Sequence, residues 1–165
     1  MSVEDKGTPE GERFMKELRE LAKLEVRIGY QKKQGTGKQQ DEGNTSEKKK
    51  PPADLIDIAM WNEFGTEHIP SRPFMRDSVD KHIPAIEHML KAQEEAFLNG
   101  TSARKVLEGV GLFQKDLVQT EIDQGDFVAN AESTIRRKGS DKPLIDTGDM
   151  RKLVNFWIGK KGGER

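Results

Sequence analysis

The sequence predicts an α+β protein in which a small antiparallel sheet is covered by three to four helices, with a long mobile polar loop outside the packed part. Three observations lead there. Apolar residues recur at helical spacing in several separate stretches, two short segments near 25–30 and 155–158 have strand character, and residues 31–52 carry no aliphatic or aromatic side chain. A segment of that last kind has no apolar surface to bury against the entropy of ordering, so it reads as a mobile loop.

The elements follow in chain order. Phe14, Leu18, Leu21 and Leu24 are spaced by four, three and three residues, one face of an amphipathic helix over 10–24. Residues 25–30 then alternate polar and apolar, the period of a half-buried strand. After the polar loop, a helix runs from about Ala53 with Asp54 as N-cap and stops at Gly65. Pro70 and Pro73 stiffen the turn that follows. Val79, Ile83, Ile86, Leu90 and Phe97 form a seam that ends at Asn99 and Gly100, and Pro84 divides it into a short segment over 74–80 and a restarted helix. Thr101 or Ser102 caps a further helix, with Val106, Val110, Phe113, Leu117 and Thr120 on one stripe and with Gly109 and Gly111 suited to close contact. Residues 123–143 read as an irregular loop, Asp146 or Thr147 caps a short helix over 148–154, and 155–158 closes the sheet against 25–30.

Composition narrows the function classes. The chain of 165 residues suits one domain over 1–165, and its 35% charged residues exceed the roughly one quarter of an average protein. With 28 basic and 29 acidic side chains, the formal net charge is -1, which gives no overall field to attract a polyanion. There is no cysteine, hence no disulfide framework and no thiolate metal site. The N-terminus lacks the apolar centre of a signal peptide, and no apolar run approaches the roughly 18 residues of a membrane span, so a protein without a membrane partner, at home in the cytoplasm, is expected.

Catalytic signatures are absent too. Gly35, Thr36, Gly37 and Lys38 invite comparison with a phosphate-binding loop, but the first glycine of that motif falls on Lys32 and the magnesium-binding hydroxyl on Gln39. His68, His82 and His88 are badly spaced for a helical metal site, and no serine sits in a nucleophile elbow. No catalytic residue, metal or cofactor is expected, and the protein is read as a non-enzyme.

Two segments are more specific than the rest: IAMWNEFGTEHIPSRPFMR over 58–76 and STIRRKGSDKPLIDTGDMRKLV over 133–154. A helix ending in NEFGT, followed by IP and an S-R-P-F-M-R turn, with PLIDTG and a short helix downstream, resembles the tail-completion or virion-morphogenesis proteins of long-tailed bacteriophages. The resemblance spans 58–154 in the family's order and leaves 31–52 aside. It implies a virion structural protein of the neck or head-tail joining region, without catalysis. Its partners would be other phage structural proteins, namely the head connector, the tail tube or the tail terminator. It would act in a homo-oligomeric ring while remaining monomeric in isolation, located in the virion after assembly in the host cytoplasm.

Trp61, Phe64, Arg72, Phe74 and Arg76 are the candidate partner-binding residues, because aromatics and arginines dominate interface energetics. The aromatics fit a core role as well, and an internal salt bridge of Arg72 or Arg76 to Glu63 or Asp77 stays open. Arg136, Arg137 and Lys138 form a local basic cluster suited to touching DNA that passes through a connector. An alternative reading is a small DNA-binding or regulatory protein of a prophage, with residues 101–119 as the reading helix.

Overall fold

The computed structural model describes residues 7–31 and 54–163. Its elements in order are α1 (Pro9–Leu21), β1 (Leu24–Gly29), α2 (Leu55–Phe64), α3 (Phe74–Asp80), α4 (Ile83–Leu98), α5 (Ala103–Gln124), α6 (Glu132–Lys138), α7 (Asp149–Leu153) and β2 (Asn155–Lys160). The two strands pair antiparallel, so the fold is α+β, with seven helices among the described residues rather than three to four. α3 and α7 answer to the short segments predicted over 74–80 and 148–154, and α6, about two turns long, is the helix that no period in the sequence showed. The predicted loop 31–52 lies, apart from Gln31, outside the described residues. The stretch 123–143, predicted as irregular, contains α6, whose end is set by Gly139 in the left-handed conformation.

The contacts divide the chain into two compact units. One comprises Met1–Ile28, His82–Asp116 and Phe156–Arg165, the other Gly29–Lys81 and Leu117–Asn155, and α5 contributes to both.

In the first unit, Thr8 caps α1 by accepting from the Gly11 amide at 3.2 Å, with Pro9 opening the helix. Phe14 and Leu21 of α1 pack on Phe97, Ala103 and Val106, and the Phe14 and Phe97 rings lie 5.5 Å apart. Glu17 of α1 accepts from the Ala103 amide at 2.8 Å, which satisfies a donor at the start of α5 that has no partner within the helix. Lys161 N donates to Lys23 O at 2.7 Å just outside the paired strands, consistent with their antiparallel register.

The predicted seam on α4 is shifted. Val79, Ile83 and Leu90 are exposed, whereas Met89 and Phe97 are buried, and Gln93 between them meets Gly109 of α5. Because Lys81 and His82 separate α3 from α4, a stripe carried across that break does not stay on one face. Gly111 is buried for a packing reason: a Cβ there would run into the ring of Phe156 on β2.

In the second unit, Phe74 is fully buried and Tyr30 stands edge-on to it at 6.5 Å, its hydroxyl donating to Met150 O at 2.8 Å. Burial, and after it the negative charge of Glu63, pushes the Tyr30 pKa well above the ordinary tyrosine value. Lys81 joins Asp77 of α3 (2.8 Å) to the buried Glu121 of α5 (3.2 Å), and these bonds, the one to Asp77 first, raise its pKa. Arg151 of α7 is tied to Asp123 of α5 at 2.6 Å.

Candidate functional site

The second unit is organised around the corner between α2 and α3. Gly65 ends α2 at a φ of 77°, and a side chain there would also meet the Ser71 amide at 2.9 Å, so the position demands glycine twice over. Thr66 then accepts the His68 and Ile69 amides on its hydroxyl at 3.2 and 3.1 Å, a local turn that supplements the two prolines. Glu63, itself buried, accepts the amides of Met75 and Arg76 at 2.9 and 3.2 Å and thereby caps α3, whose own N-cap residue, Pro73, has no side chain able to do so.

Arg72 is the centre of the corner. It is 4% exposed, and its guanidinium donates to Val128 O (2.9 Å), Asn62 Oδ1 (3.1 Å), Ala129 O (3.3 Å) and Asn130 Oδ1 (3.1 Å). Among the described residues no carboxylate pairs with it, so carbonyl and amide dipoles carry the compensation of a buried charge. The burial lowers its pKa from the ordinary arginine value. Asn130 extends the network by donating to Lys142 O at 3.4 Å, and Lys138 donates to the carbonyls of Lys142 and Pro143 at 3.2 and 3.3 Å. Desolvation, opposed in part by Asp146, holds the Lys138 pKa below its ordinary value.

These clasps frame a cleft of about 810 Å³. One wall is Leu55 and Ile58 of α2 with Ile69 of the turn, and the other is Thr134 and Arg137 of α6 with Leu144 and Met150 at α7. The segments 58–76 and 133–154, far apart in sequence, thus supply both sides of one concave surface. Its lining mixes apolar side chains with polar groups, among them His68, Arg137, Asp146 and Thr147. Thr147 donates to the Asp149 carboxylate, and the residue before α7 is the left-handed Gly148, so neither Asp146 nor Thr147 caps that helix as predicted.

Family models, curated proteins and solved structures give no match to this chain.

The predicted partner-binding residues divide into two groups. Trp61 and Phe64 lie on the outer side of α2, 42% and 68% exposed, beside Met60. Arg76 is exposed and stands 3.8 Å from Glu63, the internal pair left open by the sequence. Arg72 and Phe74, by contrast, are internal, and their reading as docking residues is corrected: the one is consumed by four intramolecular acceptors and the other is sealed in the core. Of the basic cluster, Arg136 projects outward with Glu132 at 3.7 Å, Arg137 lines the cleft, and Lys138 is turned onto backbone carbonyls. Sequence reasoning missed Asn62 and Asn130 and, for Glu63, the capping of α3, since their partners lie many residues away and leave no local pattern.

Among the described residues, no three His, Asp or Glu side chains gather as metal ligands would, and no helix is long and apolar enough to cross a membrane.

Proposed function

We propose that this chain is a structural subunit of a long-tailed phage particle, of the tail-completion or head-tail neck type, that works by docking onto neighbouring subunits and performs no chemistry. The observation that carries the reading is the convergence on one cleft of the two segments that resemble the family. A sequence pattern kept only for chain folding has no need to line a concave surface from both sides; a docking subunit does. The outer side of α2 supports it. Met60, Trp61 and Phe64 expose large apolar area on a single short helix, in a chain otherwise more polar than most, and such concentrations mark contact surfaces.

On this reading the subunit takes its place in a ring against the head connector, tail tube or tail terminator, and resides in the virion. The rigid corner at Arg72 holds the apolar helix and the cleft in fixed geometry, so that little ordering remains to be done on contact. The test is genetic and microscopic. Phage lacking the gene should build heads and tails that fail to join, and a Trp61→Ser, Phe64→Ser copy, folded but altered in docking, should not restore joining. Normal joined particles without the gene would overturn the proposal.

A further inference from the structure

We infer that the cleft of the second unit receives an extended acidic segment of a partner protein, with an apolar side chain seated between its Leu55 and Met150 walls and carboxylates held by Arg137 and Lys152. The inference rests on the docking reading and adds the chemistry of the partner. Leu55 and Ile58 on one wall and Met150 and Leu153 on the other supply the apolar surface, and a volume of about 810 Å³ admits a side chain with its flanking backbone. Shape and apolar lining alone would fit many occupants; the charges select among them.

Arg137 lines the cleft, is exposed, and has no ion pair among the described residues. Lys152 is exposed, and its ammonium lies 3.8 Å from the place a Cβ would take on Gly148, a lining residue. Lys138 and Arg72 add positive charge behind them. Two carboxylates on the lining oppose these cations: Asp149, already engaged by the Thr147 hydroxyl, and Asp146, which interacts with Lys138. Cations therefore outnumber carboxylates around the cleft although the chain as a whole has a formal net charge of -1. A partner carrying carboxylates beside an apolar residue matches this distribution.

Nucleic acid matches it less well. Asp146 and Asp149 stand on the lining, where a phosphate backbone would meet them, and the apolar side chains Leu55, Ile58, Met150 and Leu153 offer nothing to phosphates. Arg136, the most outward of the basic cluster, is shared with Glu132.

The experiment uses the full chain and four fluorescein-labelled probes read by anisotropy: short peptides alternating leucine with aspartate, with serine or with lysine, and a short DNA duplex. The aspartate peptide should bind at least about tenfold more tightly than the serine peptide, a difference of about 1.4 kcal/mol. The advantage should shrink as salt is added. Arg137→Glu combined with Lys152→Glu should bring the aspartate peptide down to the serine level while circular dichroism and the melting temperature stay unchanged, since both side chains are exposed. Equal binding of the aspartate and serine peptides, preference for the lysine peptide or the duplex, or indifference to the charge reversal would overturn the inference. A chain that ignores the aspartate peptide yet is needed for head-tail joining loses this inference and keeps the docking reading; one that binds it in the predicted way yet is dispensable for joining does the reverse.

Discussion

Where α1 meets the end of α4 and the start of α5, the contact is made by Phe14, Leu21, Phe97 and Val106, side chains that attract one another without regard to direction; where α2 turns into α3, the centre is the guanidinium of Arg72, fixed by four acceptors. Apolar contacts of the first kind tolerate a change of shape at modest cost, because neighbours shift to fill space. A buried polar clasp tolerates almost none, because each acceptor left without its donor bears its full desolvation cost. The unit that carries the cleft is thus the one whose geometry is specified most tightly, which suits the docking role proposed for it.

The largest effect that sharpens this contrast is expected from Arg72→Ala, at about 4 kcal/mol, since Asn62, Asn130 and two carbonyls are stranded together. Arg72→Lys should recover less than half of that, because an ammonium cannot reproduce the planar fork. Urea unfolding midpoints measure both, and a loss below about 1 kcal/mol for the alanine variant would remove the clasp from its central role. Phe97→Ala comes next at about 3 kcal/mol, and Phe97→Leu should cost only about 1 kcal/mol, so that a conservative change is mild in the first unit and severe in the second.

The smallest effect is Tyr30→Phe, about 1 kcal/mol near neutral pH for the bond to Met150 O. Its sign with pH is defined. The folded state raises the tyrosine pKa, so its contribution is complete below about pH 10, the ordinary value, and falls as pH rises from there towards the folded value. The chain has a single tyrosine, so alkaline absorbance reports this residue alone. Phenolate should appear only well above the usual range and together with unfolding, and the phenylalanine variant should lack this part of the alkaline loss.

Much of the framework was legible because it follows local rules. The end of α2 at Gly65, the span of α3, the restart of α4 before Pro84 and the pairing of β1 with β2 all come from turn chemistry and periodicity that a few neighbouring residues express. The site was legible in part. Trp61 and Phe64 are exposed, which leaves their proposed partner-binding role open, but Arg72 looked like a surface residue because no period covers a loop and an arginine by itself argues for solvent. Its burial is decided by Val128, Ala129 and Asn130, more than fifty residues on. Glu63 capping α3 across the turn was hidden for the same reason, and α6 was hidden because it is seven residues long within a stretch rich in turn residues.

Gly111 has a consequence for how this protein can change over generations. Alanine would favour α5 by up to about 1 kcal/mol if the helix stood alone, but its methyl group would take the place held by the Phe156 ring. The helix and the strand are therefore not free to drift separately at this point. In related chains a larger residue at the position of Gly111 should be accompanied by a smaller one at that of Phe156, and the pair should vary as a unit.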